Sequence, residues 1–399
     1  MQFWSIRKRV PLWTGNFICI WASNFLLFFS FYLLMPTLPF YLANNFKLGW
    51  TEAGAIISLY VVASVLIKPF TAYVADTFNR KHIYLLMYFL FIVSFAGYLV
   101  AATIAFLILI RIIHGLSFGS LMTTSNALVI DILPRLRQGE GLGYFGLSGT
   151  LAMATGPLIG LLIYDNFDFN VIFYAALAAG TLGCIFAFFI KARHLRKPKK
   201  EPITIDRFII VKGIPIGFNY LLLAIPYSMI TTYIAVYSEE FGQSASAGIF
   251  FIVTSIGLII SRIFAGKNVD KGKIIETIKF GIILAAGSYF LLAFASYLPN
   301  PMLMYYIAGF LIGIAYGLIF PSFNVMFINL APRNRRAAAS STYLVSWDTG
   351  IGIGIMLGGK IMDAFNTASI YTIGGVSAGL AAICFVAVSS GYFLKNKLR

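Results

Sequence analysis

Charge is what this chain has least of. Only 11% of its 399 residues are Asp, Glu, Lys or Arg, against about 25% in an ordinary soluble domain, so the whole length cannot be clothed in a water-facing surface. Acid is scarcer than base, with 14 Asp and Glu facing 30 Lys and Arg and a formal charge of +16. In a soluble protein that imbalance would point to nucleic acid; in a chain this apolar it reads as basic loops gathered on one side of a membrane, and no nucleic-acid partner is expected. Cysteine is nearly absent: Cys19, Cys184 and Cys384 all lie in apolar runs, which excludes a disulfide framework or a metal-ligand spacing. Neither a Gly-x4-Gly-Lys-[Ser/Thr] loop nor a His-x3-His pair is present. No Gly-x-Ser-x-Gly elbow and no ATPase-sized soluble domain are expected, so an enzyme, a metal site and a cofactor are not anticipated. The alternating pattern of barrel strands is also missing.

What is present is apolar length: 59% hydrophobic residues and a mean hydropathy of +0.86. A hydrocarbon core about 30 Å thick takes roughly 20 residues per helix. Apolar runs place twelve spans near 12–43, 52–75, 82–103, 105–130, 139–164, 170–191, 209–238, 246–266, 274–297, 302–330, 337–362 and 369–394. The connections with Arg80 and Lys81, with Arg135 and Arg137, and at 191–212, 267–273 and 333–336 are basic, as are both termini. The alternate connections hold only Lys47 and Lys360 as cations, beside Asp165, Asp168, Glu239, Glu240 and Asp363. Both termini are therefore expected in the cytoplasm, with an even number of spans in a plasma (inner) membrane. Arg7, Lys8 and Arg9 precede an apolar run too long for a signal peptide, so the first span is read as uncleaved. The charged, proline-bearing link at 192–208 divides an N-terminal bundle, 1–191, from a C-terminal one, 209–399.

The two halves repeat one another. Lys68-x3-Ala72-x3-Asp76 returns, 194 residues later, as Arg262-x3-Gly266-x3-Asp270. At an offset of 198, Gly115 and Gly119 fall on Gly313 and Gly317, Asn126 on Asn324, Pro134 and Arg135 on Pro332 and Arg333, and Asp165 on Asp363. The same offset carries Ser148, Ala152, Gly156 and Gly160 onto Ser346, Gly350, Gly354 and Gly358. Parallel repeats with an even number of spans each are the arrangement of a rocker-type carrier with its site between the halves.

On these residues the chain resembles the major facilitator superfamily, and within it the twelve-span drug and sugar efflux group of proton antiporters. The resemblance rests on the loop Lys68 to Lys81, on Arg111-x3-Gly115-x3-Gly119, on Ala152-x3-Gly156-Pro157-x2-Gly160 and on Pro36-x2-Pro39. The family pattern has glycine where Ala72, Asn79 and Ala152 stand; Asn79 is read as a substitute able to take the left-handed backbone conformation. The resemblance implies an all-α membrane protein of two six-helix bundles. It also implies a cytoplasmic gate in which Asp76 faces the N-terminal end of the eleventh span, with Arg80, Lys81, Arg135, Arg137 and the weaker copy Asp270 around it. A carboxylate at a helix N-terminus is favoured by about 0.3–1 kcal/mol when exposed.

Several residues suggest chemistry. Asp348 lies mid-span with no cation within four residues, so it is read as the proton-coupling group. Arg111 and His114, one turn apart, are expected to tune it, with water or His114 mediating. Lys68 and Arg262 are expected to snorkel or brace helix ends. The small-residue stripes, Gly156, Pro157 and Gly160 with Gly350, Gly354 and Gly358, are expected to let helix backbones approach closely, first as ordinary packing surfaces and, as the alternative, as an interface between rocking halves. Cavity candidates are Asn24, Tyr32, Asn126, Asn219, Tyr220, Tyr227, Thr231, Tyr233, Asn324 and Trp347, a set of amides, hydroxyls and aromatic faces suited to an amphipathic or polyhydroxylated solute.

The expected function is proton-coupled efflux of a small molecule by a monomer in a lipid bilayer. Import of a sugar-like or organic-acid nutrient by a symporter or facilitator, and a non-transporting receptor or scaffold, stay open.

Overall fold

Leucine, phenylalanine and isoleucine on all faces, with capping residues between the runs, make each apolar segment a helix. The computed structural model describes residues 11–134, 137–191, 210–239, 246–331 and 336–398; the side chains at 72, 76, 77, 138–140, 246, 263, 267, 270 and 336–338 also lie outside the description. Among the described residues every regular element is helical.

Span one is a pair, Gly15–Leu34 and Leu38–Phe46. Spans two to six are Trp50–Thr77, Arg80–Leu99, Ile104–Ile132, Gln138–Asn166 and Phe169–Phe189. Spans seven to eleven are Ile214–Glu239, Ser246–Asp270, Ile274–Ala293, Pro301–Leu330 and Arg336–Ala364. Span twelve, Thr367–Cys384, continues through a wider turn, Phe385–Ser389, into Ser390–Asn396. Among the described residues eleven helices are long and apolar enough to cross a bilayer. Span eleven, with 29 residues, is the more polar remainder, carrying Ser, Thr and Asp348 through its middle.

Caps set the boundaries. Thr14, Thr103 and Asn366 each accept an N–H from the first turn of spans one, four and twelve. Span one breaks at 35–37 because Pro36 and Pro39 interrupt the backbone ladder; Pro39 then sits in the first turn of the second piece. Asn79 corrects the sequence reading. Its φ is −69°, not left-handed, and its side chain accepts the Lys81 N–H at 3.0 Å, so it starts span three as an N-cap.

In the first half span four packs on spans two and three, and span one on spans five and six; in the second half span ten packs on eight and nine, and span seven on eleven and twelve. The repeat is therefore structural. Gly115 and Gly119 let span four meet the backbone of span two at Tyr60 and Ser64, and Gly313 and Gly317 let span ten meet span eight at Thr254 and Leu258. The halves join along span two with eleven and span five with eight.

The glycine stripes lie where the packing reading put them, not where its alternative did. Gly156 and Gly160 lie against Tyr32 and Leu33 of span one, while Gly350, Gly354 and Gly358 lie against Leu221, Ile225 and Tyr233 of span seven. Both stripes are packing surfaces inside a half, not a sliding face between halves. Pro157 sits within span five, which runs on unbroken from Gln138 to Asn166. The link at 192–208 falls outside the described residues.

Candidate substrate cavity and its charges

The charges at mid-depth sit on spans two, four, eight and eleven. Lys68 of span two and Asp348 of span eleven form an ion pair between the halves, with side chains 5% and 20% exposed. Lys68 braces span two against span eleven, the second of the two roles expected of it, and Asp348, with no cation near it in sequence, has one in space. The partners are 280 residues apart, so local spacing could not join them. Two isolated opposite charges at similar depth were the available signal.

Arg111 of span four is 1% exposed. Its guanidinium donates to the Ile57 carbonyl at 2.7 Å and to the Tyr98 hydroxyl at 3.2 Å, and lies 4.7 Å over the Tyr60 ring. His114 is held separately. Its Nδ1 pairs with the Tyr98 hydroxyl at 3.1 Å among the rings of Phe31, Phe91 and Phe95, and its Nε2 has no partner. The one-turn spacing of Arg111 and His114 placed them correctly on one helix but could not show which way the imidazole turns.

Across the cavity an aromatic cup forms on spans seven, ten and eleven. Trp347 lies 4.9 Å from Tyr220, 5.1 Å from Tyr227 and 4.8 Å from Phe320, and the Tyr220 hydroxyl donates to that of Tyr343 at 2.7 Å. Tyr227 reaches Met153 of span five at 3.0 Å, and Asn24 donates to Ser148 of the same span at 2.7 Å. Tyr32 stacks on Phe28. Other cavity candidates are used structurally: Asn126 bonds back to Met122, Asn219 donates to Ala381 of span twelve at 2.7 Å, and Thr231 bonds back to Ser228. Asn324 keeps a buried amide oxygen without a partner. Tyr233 donates to the Ile355 carbonyl at 2.7 Å beside Gly54, away from the cup.

Arg262 of span eight turns toward span five, one guanidinium nitrogen coming 3.7 Å from where a Cβ on Gly146 would stand.

At the end of the bundle that carries the termini, one guanidinium nitrogen of Arg80, Nη1, donates to both carboxylate oxygens of Asp131, at 2.8 and 2.9 Å. Asp131, at the end of span four, was missed from sequence because an acid among basic loops looked like charge balance. Lys81 donates to the Phe188 carbonyl at 2.7 Å. Arg137 begins the approach to span five. The side chains of Asp76 and Asp270 lie outside the described residues, as does Arg135 altogether. The string Gly375-Val-Ser377-Ala-Gly379 has the spacing of a nucleophile elbow that the sequence reading did not expect, but it runs mid-helix, with Ser377 bonded to the Leu222 carbonyl at 2.8 Å.

The opposite end is shut. Asp363 of span eleven accepts the Trp50 and Thr51 N–H groups at the start of span two, at 3.2 and 2.7 Å, while Glu52 accepts the Gly49 N–H at 2.6 Å. Gly54 and Gly359 admit the close backbone approach of these two spans, and Gly248 of span eight lies on Leu158 of span five.

Two repeated six-helix bundles meeting at two helix pairs, with an ion pair and an aromatic cluster at mid-chain, mark a multi-span membrane transporter. The chain belongs to the Major Facilitator Superfamily, whose profile matches residues 20–355 and again 298–393. It is 26% identical over 392 residues to the Quinolone resistance protein NorA of Staphylococcus aureus (strain MSSA476), covering 95% of this chain and 97% of the relative. It is 23% identical over 347 residues to the uncharacterised transporter YtbD of Bacillus subtilis (strain 168), covering 84% and 85%. Among solved structures, the nucleoside transporter NupG superposes with a TM-score of 0.79 at 15% identity over 93% of this chain and 99% of that one. A peptide transporter in complex with alafosfalin gives 0.80 at 15% identity over both whole chains.

Proposed function

We propose that this protein is a proton-driven exporter of amphipathic small molecules in the plasma membrane, with both termini cytoplasmic and a break between halves at 192–208. The observation that carries the mechanism is the Lys68–Asp348 pair, an ion pair made across the seam between the halves. Protonating Asp348 removes one charge and leaves Lys68 free to take water, which loosens span two from span eleven. Deprotonation restores the attraction. A buried pair is strongly sensitive to losing one member, about 3–5 kcal/mol, enough to move a two-state equilibrium by orders of magnitude. Arg111 is assigned the tuning of Asp348 from span four. Asp76, with Arg80, Arg137 and Asp270, serves as the cytoplasmic gate, and the outward direction is supported by the quinolone resistance relative.

The test is flux in proteoliposomes. Asp348→Asn is expected to abolish solute movement driven by a proton gradient while preserving solute exchange across the bilayer. Undiminished gradient-driven transport by this variant would overturn the assignment. The direction of proton flow on adding substrate to one face separates exchange from symport, and inward co-movement would favour an importer.

A further inference from the structure

The cavity has a charge it does not neutralise. At mid-depth the described residues offer three cations, Lys68, Arg111 and Arg262, and one anion, Asp348. Lys68 is matched by Asp348. Arg111 is sealed at 1% exposure and bonded to a carbonyl and a hydroxyl. Arg262 is partly accessible and has no hydrogen bond or ion pair among the described residues.

The internal repeat explains why. Lys68 and Arg262 occupy equivalent positions on spans two and eight, and spans eleven and five are the equivalent helices facing them. Where span eleven carries Asp348, span five carries Thr150, whose hydroxyl is turned back to the Gly146 carbonyl at 3.3 Å. The first half's cation has an internal counter-charge and the second half's has none. An unpaired guanidinium in a low-dielectric pocket costs several kcal/mol, and a planar fork of donors matches a carboxylate in two-pronged fashion.

We propose that Arg262 is the seat of the substrate's anionic group, so that the solute is an aromatic or amphipathic carboxylate whose ring lies against Trp347, the partly exposed ring beside buried Tyr220 and Tyr227. The proposal rests on reading this cavity as the substrate's path. It assigns the solute's charge, and it makes the substrate complete an electrostatic pair that the fold leaves half-built. Ring stacking supplies tolerance of shape. The guanidinium supplies the selection by charge.

Binding of 2-naphthoate, 2-naphthamide and 2-naphthylmethylammonium to the purified full-length protein in detergent, measured by calorimetry, tests this with one ring and three charges. The wild type is expected to hold the carboxylate about tenfold or more tighter than the amide, and the ammonium weakest. Arg262→Gln should bring carboxylate and amide to within about twofold of each other, the carboxylate losing far more affinity than the amide, and Arg262→Lys should keep part of the preference. Amide binding thus reports that the variant is folded. Equal affinities in the wild type, an ammonium preference, absence of carboxylate binding, or a carboxylate preference that survives Arg262→Gln would each overturn the proposal. Carboxylate selectivity without any proton-driven flux would keep the anion seat and remove the transporter reading; flux without selectivity would do the reverse.

Discussion

A lysine at 5% exposure is tolerable in hydrocarbon only because a carboxylate meets it, and the reverse holds for Asp348. Removing one member therefore costs more than removing both. Lys68→Met leaves a carboxylate without its counter-ion, and destabilisation of about 3–5 kcal/mol is expected. Lys68→Met combined with Asp348→Asn should recover most of that. Thermal unfolding midpoints of the two single variants and the double variant in detergent check it, and simple addition of the two single effects would contradict the pair. Arg111 obeys the same rule by another route, since its charge is spread over a carbonyl, a hydroxyl and the face of Tyr60. The existence of these charges could be read from the sequence, and their pairing could not. Depth along each helix follows from counting residues, whereas rotation about the helix axis and contact across a 280-residue separation are set by packing.

At the scale of helices, spacing shows that residues share a face but not which neighbour the face meets. Ser346, Gly350, Gly354 and Gly358 are four residues apart and do make one stripe, yet the stripe lies on span seven inside its own half. Other glycines, Gly54, Gly359 and Gly248, admit the close approaches across the seam, so the presence of glycine alone does not say which neighbour a stripe meets. A Cβ on Gly354 would strike the Ser228 hydroxyl and the Ile225 carbonyl, a rigid backbone atom. Gly354→Leu is accordingly expected to lower stability by about 1–3 kcal/mol or more, whereas Gly143→Ala, with nothing within 4 Å, should be neutral or better. Melting curves of the two variants decide, and a neutral Gly354→Leu would mean that spans seven and eleven can part. The number of spans, the repeat and the helix-breaking prolines were all legible because each is a periodic or composition signal. The role of Asn79 was not, since a turn residue can cap a helix or bend the chain left-handed with the same side chain.

For the whole molecule, closure at the end opposite the termini depends on Asp363 reaching from span eleven to the first N–H groups of span two. Burial pushes this carboxyl up, but the bonds from the Thr51 side chain and N–H and from the Trp50 N–H outweigh it and hold the group below the usual carboxylate range. A carboxyl so lowered contributes fully above its unfolded value, about 3.9, and loses its contribution only as pH falls through the lowered value. Acidifying that face from roughly pH 7.5 to 5.5 should therefore leave this contact intact. In the mechanism proposed above the driving proton acts elsewhere, at Asp348. Asp363→Asn, by contrast, removes the charge that favours the helix N-terminus, about 0.3–1 kcal/mol at an exposed site, and should raise the open population about two- to fivefold at neutral pH. Spin labels on Lys47→Cys and Phe365→Cys, both at exposed positions flanking the contact, read the distance between the two spans in a background lacking Cys19, Cys184 and Cys384. A widened distance distribution for Asp363→Asn at pH 7.5, with the parent unchanged between pH 7.5 and 5.5, is the expected result. Opening of the parent over that acid interval would place the proton switch at the rim of the bundle and not at its centre.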